Sequence, residues 1–168
     1  MFKHNDICPI CGSGKLKENN VTETFEYKGQ IKEIQNYVVF ECSECNESVV
    51  DQKTLKKAEK ILRDFHREVD GLLTSTEIKT IRKALGFTQK DFGLILGGGE
   101  KSFARYESCV VTQSKSMDNL IRIVNEKPEV IEIIQKNQGA HNGTFNFSET
   151  FVYHYSQNNE PFLKIVGE

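Results

Sequence analysis

No run of apolar residues in this chain approaches the roughly 18 that a membrane-spanning helix requires, so no membrane role is expected. The first residues, MFKHNDICPICGSG, lack the apolar h-region of a secretory signal, and a cytoplasmic protein is expected. Nor is there a large charge of either sign. The 22 Lys and Arg against 24 Asp and Glu leave a formal net charge of −2, which excludes a bulk polycation. Charge is nevertheless uneven: residues 71–138 carry 10 basic against 8 acidic side chains, a net of +2. A surplus that small permits nucleic-acid binding without demanding it. Gly97-Gly98-Gly99 lacks both the preceding strand and the Gly-Lys-Ser/Thr ending of a P-loop, so no nucleotide site is read there.

What the chain does have is two matched cysteine pairs, Cys8-Pro9-Ile10-Cys11 and Cys42-Ser43-Glu44-Cys45. Two residues between paired cysteines let both thiolates reach one centre at the Zn–S distance of about 2.3 Å. Turn formers flank each pair, Pro9 and Gly12 around the first, Ser43 and Asn46 around the second. A lone pair could be a redox motif, but two pairs in the first 45 residues point to a four-thiolate zinc site. A disulfide framework would need an oxidising compartment, and ordinary buried thiols do not explain the matched spacing. One structural Zn2+ per chain is therefore expected on Cys8, Cys11, Cys42 and Cys45. Four thiolates close the coordination sphere, whereas a catalytic zinc keeps a position open. With no His/Glu pair beside the site, no enzyme is expected, and His4 is left out of the ligand set.

The chain reads as α+β in four parts. Residues 1–52 form a small zinc-bound domain built on a β-hairpin, because residues 21–27 alternate β-formers with polar residues, Lys28-Gly29-Gln30 signals a turn, and residues 31–40 return. A unit of about 50 residues buries little apolar surface, so zinc is expected to supply much of its folding free energy. Residues 53–73 read as a linker helix with Thr54 as N-cap, since Leu55, Ala58, Leu62, Phe65, Val69 and Leu72 make one apolar seam. That seam is expected to dock on a neighbouring part of the chain. Residues 74–138 read as five helices. Residues 139–168, with Phe145, Phe147, Phe151, Tyr153 and Tyr155 alternating with polar residues, read as a β-hairpin extension packing within a dimer. Cys109, the fifth cysteine, reads as a small buried hydrophobe.

Two short helices joined by a glycine turn match helix-turn-helix architecture. Ile81-Arg82-x-x-Leu85-Gly86-Phe87-Thr88-Gln89, a small turn, and Ser102-Phe103-Ala104-Arg105-Tyr106-Glu107 resemble the XRE/Cro-like repressors. Together with the four-cysteine hairpin domain, the linker helix and Gly-Gly-Gly before Phe-x-Arg-Tyr-Glu, residues 8–136 resemble the MqsA-type antitoxins. The resemblance implies a homodimeric DNA-binding antitoxin on a palindromic double-stranded operator, repressing its own operon. It also implies a zinc domain that neutralises a small ribonuclease toxin. The alternative is a zinc-containing repressor with no toxin partner.

Side chains on the first turns of a recognition helix meet base edges in the major groove. Lys101, Ser102 and Arg105 are thus the expected base contacts, and Thr88, Gln89, Lys90, Ser114 and Lys115 the expected phosphate contacts. Taken alone, Arg105 is as much a surface partner for Glu107 or another carboxylate. The motif around it favours a fork onto O6 and N7 of guanine. Phe103 and Tyr106 are read as core, facing Ile81, Leu85, Phe92 and Leu120. Lys101 departs from the family pattern, where the resemblance places Asn, suited to adenine. Lysine offers only donors and favours guanine or a phosphate. The operator is therefore expected to differ from the family's at that base, and binding-site selection returning the same adenine-centred half-site would contradict this.

Overall fold

The computed structural model describes residues 2–140, 152–155 and 161–164. Residues Met1–Val130 make one compact unit and Ile131–Glu168 another. The first begins with a three-stranded antiparallel sheet of β1 (Leu16–Tyr27), β2 (Gln30–Cys42) and β3 (Ser48–Val49), in that spatial order. The expected hairpin is present and longer than the 21–40 segment that reads as strand. Its two-residue turn has Lys28 and Gly29 both at positive φ, 48° and 76°, the turn geometry whose twist matches paired strands.

One irregularity sets which residues face which core. Val21 pairs with Tyr37 but Glu23 pairs with Ile34, so β2 contains one extra residue there. Asn36 absorbs it at φ 55°, a conformation Asn tolerates. The bulge brings Ile34 onto the same face as Tyr37 and Val39, where all three are buried with Ala58. Phe40 and Cys42 lie on the opposite face, buried with Leu16 and Cys8. The sheet is covered on one face by a helix and on the other by the cysteine-bearing loops.

That helix is α1 (Gln52–Val69). Its N-cap is Asp51, whose carboxylate accepts from the Thr54 amide at 2.8 Å, so Thr54 lies inside the first turn and is not the cap. Asp outranks Thr at this position, and its oxygen reaches the third amide. Ala58, Ile61 and Leu62 lie against the sheet, and Tyr27 stacks on His66 with ring centroids 4.0 Å apart. Of the expected seam, Ala58 and Phe65 are buried while Leu55 remains exposed.

Four further helices complete this unit: α2 (Ser75–Ala84), α3 (Gln89–Ile95), α4 (Ser102–Glu107) and α5 (Lys115–Glu126). Thr74 and Glu77 form a reciprocal capping box on α2, and Thr88 and Ser114 cap α3 and α5. Ile78, Phe92, Phe103, Ile121 and Val124 have no exposed surface and form the interior. Phe103 is core as expected, but Leu120 is only half-buried and Ile121 takes its place. A helix α6 (Val130–Ala140) begins at the last residue of this unit, and in the second unit β4 (Val152–Tyr155) pairs antiparallel with β5 (Pro161–Lys164). The rest of the expected 139–168 hairpin, including Phe145, Phe147 and Phe151, lies outside the described residues.

Asp118 on α5 has no exposed surface and accepts from the Leu73 amide at 2.7 Å, Gln113 Nε2 at 3.0 Å and Arg122 Nε at 2.8 Å. Burial raises its pKa, but these hydrogen bonds outweigh burial and hold it below the ordinary carboxylate value. Its stabilising contribution is therefore complete above the unfolded pKa near 4 and is lost as pH falls through the depressed value. Asp118→Ala should cost about 2–4 kcal/mol in urea unfolding at pH 7 and flatten the decline in stability below about pH 4.

Candidate functional site

The four sulfurs Cys8, Cys11, Cys42 and Cys45 all lie within 4.8 Å of one another. Cys8 and Cys45 Sγ are 3.9 Å apart, and Cys11 and Cys42 Sγ are 3.6 Å apart. A tetrahedral centre with bonds of about 2.3 Å separates its sulfurs by roughly 3.8 Å, so the four fit one metal ion and are consistent with zinc. Backbone amides tune the donors. Ile10 donates to Cys8 Sγ at 3.4 Å, Glu44 to Cys42 Sγ at 3.4 Å and Gly14 to Cys11 Sγ at 3.3 Å. Hydrogen bonds from the Ser13 and Gly14 backbones lower the Cys11 thiol to about 6. At Cys45 a backbone hydrogen bond from Glu47 also lowers the pKa. Burial and the neighbouring Cys42, Cys11 and Cys8 outweigh it and push Cys45 up to about 12. A cation would relieve that crowding, since metal binding displaces the remaining thiol protons.

Gly14 is what lets the two loops close on one another. A Cβ there would overlap Cys42 Sγ and lie 2.9 Å from Glu44 Cβ. The Cys8 and Gly14 backbones are tied by a 2.8 Å hydrogen bond, and Ser43 N reaches Lys15 O at 3.0 Å.

The second cluster of expected site residues surrounds α4. Lys101 sits at its N-cap without a side-chain capping bond, and Lys101 and Arg105 are exposed. Ser102 Oγ donates to the Gly99 carbonyl at 2.8 Å, so this hydroxyl helps close the glycine turn. Gly93 permits that close turn, because a Cβ there would overlap the Gly99 carbonyl and lie 2.8 Å from Ser102 Oγ. Thr88 caps α3, and Ser114 caps α5. Lys90 Nζ pairs with Glu100 at 2.7 Å with both side chains more than half exposed. Lys115 Nζ lies 3.9 Å from Asp118.

Glu107 does not pair with Arg105. Its carboxylate takes Arg82 Nε at 2.5 Å, Arg82 Nη2 at 2.9 Å and Gln89 Nε2 at 2.7 Å. Arg82 and Glu107 are nearly buried, and the bidentate pair joins α2 to the end of α4. The guanidinium of Arg105 has no ion pair or hydrogen bond among the described residues.

Residues 7–135 match the family described as the antitoxin component of bacterial toxin-antitoxin systems, MqsA. The chain belongs to the MqsA antitoxin family. It is 26% identical over 129 residues to Antitoxin MqsA of Escherichia coli (strain K12), covering 76% of this chain and 98% of that protein. The chain is thus an antitoxin of a toxin-antitoxin system, a regulatory protein and not an enzyme. Among the described residues, no helix is long and apolar enough to cross a membrane.

One polar cluster in this MqsA family member escaped sequence reading. Arg67 on α1 has no exposed surface. It pairs with Asp64 at 2.7 Å and donates to the carbonyls of Tyr106 at 3.1 Å and Val111 at 2.7 Å. Arg63 Nη1 donates to the carbonyls of Cys109 and, at 2.6 Å, Val110. Asp64 in turn accepts from the Ser75 amide at 2.9 Å and from the Ser75 hydroxyl. The one available signal was that 63, 64 and 67 share a helix face opposite the apolar seam, and charged residues there usually read as solvated surface. Cys109 is buried as expected, with Arg67 Nη1 3.8 Å from its sulfur.

Gly14→Ala should reduce bound metal from about one ion per chain to near zero and unfold the sheet, by elemental analysis and circular dichroism. Retention of one tightly bound ion in that variant would show that the loops close some other way.

Proposed function

We propose that the chain is a DNA-binding antitoxin that neutralises a ribonuclease toxin through a zinc domain and represses its own operon. Zn2+ on Cys8, Cys11, Cys42 and Cys45 is a structural staple. It would tie the strand ends and loops into one surface for the toxin. The division of labour is a zinc-binding domain at residues 1–52, a linker helix at 53–73 and a five-helix Cro-like domain at 74–138. The 139–168 hairpin extension packs within the homodimer. The protein works in the cytoplasm, without a membrane.

The observation that carries the DNA-binding half is the state of Arg105. It is exposed on α4, while the carboxylate that would most simply neutralise it, Glu107, is occupied by Arg82 and Gln89. An arginine held ready on the first turns of such a helix suits bidentate contact with guanine. Lys101 and Ser102 would flank it at base edges. Thr88, Gln89, Lys90, Ser114 and Lys115 would meet phosphates, which position the protein without specifying sequence. Lys90 can exchange its exposed Glu100 partner for a phosphate at small cost, since exposed ion pairs contribute little. A two-fold dimer then calls for a palindromic operator.

Arg105→Ala should weaken operator binding by about 1–3 kcal/mol in a gel-shift or fluorescence titration while leaving toxin binding unchanged. Loss of toxin binding in the same variant would overturn the separation of the two tasks.

A further inference from the structure

We propose that the last turns of α1 are a working part of the DNA-reading head, with Arg67 and Arg63 as positioning residues for the recognition helix. This rests on the proposed role of α4 in reading DNA. At six residues α4 is too short to hold its own shape, and its N-cap contributes no side-chain hydrogen bond. The chain after it turns back at Cys109, which has φ 56°. In that turn the amides of Val110 and Val111 both reach back to the Arg105 carbonyl, at 2.9 and 3.4 Å. The backbone of the base-contacting residue is therefore fixed by the segment from 106 to 111.

Arg67 and Arg63 serve the carbonyls of that same segment. Tyr106 and Val111 accept from Arg67, and Cys109 and Val110 accept from Arg63. These carbonyls turn toward α1, and three of them, Tyr106, Cys109 and Val111, make partly buried contacts where a carbonyl without a donor is costly. Asp64 holds Arg67 in place and is itself bound to the first residue of α2 through Ser75. The head is thus gripped at both ends, before α2 and after α4, by three charged side chains from outside it. A buried ion pair of this kind adds little net stability but fixes geometry. The positions of Arg105 and Lys101 relative to α2 are what that geometry decides. The opposite face of α1 packs on the sheet through Ala58, Ile61 and Leu62. A partner seated on the sheet and a duplex seated on α4 therefore act on the same rigid helix.

The test uses the full-length, metal-bound chain carrying Arg67→Met, titrated with operator and with a non-specific duplex of equal length. Operator affinity should fall about tenfold or more while non-specific affinity stays unchanged, because phosphate contacts tolerate a shifted helix and base contacts do not. Adding Arg105→Ala to Arg67→Met should weaken operator binding no further than Arg105→Ala alone, the signature of two residues acting as one. Amide exchange at Val110 and Val111, read without DNA, should accelerate. Arg63→Met, at a half-buried position, should show the same pattern more weakly and carries the test if Arg67→Met does not fold. Unchanged operator affinity in the folded variants, an equal fall on both duplexes, or additive losses would each overturn the assignment. If the unsubstituted chain bound no operator, the reading of α4 would fail instead, and the exchange rates at Val110 and Val111 would still decide whether the two arginines hold the turn.

Discussion

A guanidinium removed from water must have its charge compensated or it destabilises the fold by several kcal/mol. Arg67, with no exposed surface, meets this at its two terminal nitrogens, through a carboxylate on its own helix and two carbonyls beyond α4, while its Nε has no partner among the described residues. That requirement fixes the angle at which α1 meets the helical head. The apolar side of the same helix fixes its angle to the sheet, through Ala58 against Ile34, Tyr37 and Val39. One rod with two dissimilar faces therefore relates the cysteine-bearing domain to α4. Apolar packing tolerates small slides, whereas the polar side does not, because each hydrogen bond has a direction.

Beyond the sheet, the cysteine centre plays a complementary part. Residues 2–50 supply two small buried clusters on opposite faces of β2, and the outer one contains two of the four cysteines, Cys8 and Cys42. Without a cation, thiols with opposed pKa shifts, the exposed Cys11 and the half-buried Cys45, crowd the edge of that cluster. Cys8 and Cys42 thus belong to both the metal-binding loops and the hydrophobic core, so metal affinity and folding are linked. The family assignment agrees with this architecture, since its match runs from residue 7, just before the first cysteine, through residue 135.

Much of this was legible in the sequence because it depends on local chemistry. Cysteine spacing and the Lys28-Gly29 turn each act within a few residues. The α+β class follows from such signals added together. What stayed hidden was relational. The bulge at Asn36 preserves the buried face of β2, but nothing in the local pattern marks where the extra residue falls. Asp51, not Thr54, caps α1, since both residues are competent caps and the choice depends on where the sheet ends. Glu107 could have paired with Arg105 by proximity along the helix. It pairs with Arg82, 25 residues away in sequence, because the fold places that guanidinium at its carboxylate. The burial of Arg67 was hidden for the same reason: the carbonyls it serves lie more than 35 residues downstream.

The two faces of α1 predict that the sheet and α2 through α5 move together in solution. Residual dipolar couplings of backbone amides in the metal-loaded chain test it most directly. A single alignment tensor should fit the sheet, α1 and α2 through α5 together, with unequal dynamics confined to the loops. Separate tensors for residues 16–49 and 75–126, with independent magnitudes, would mean that the helix does not couple them.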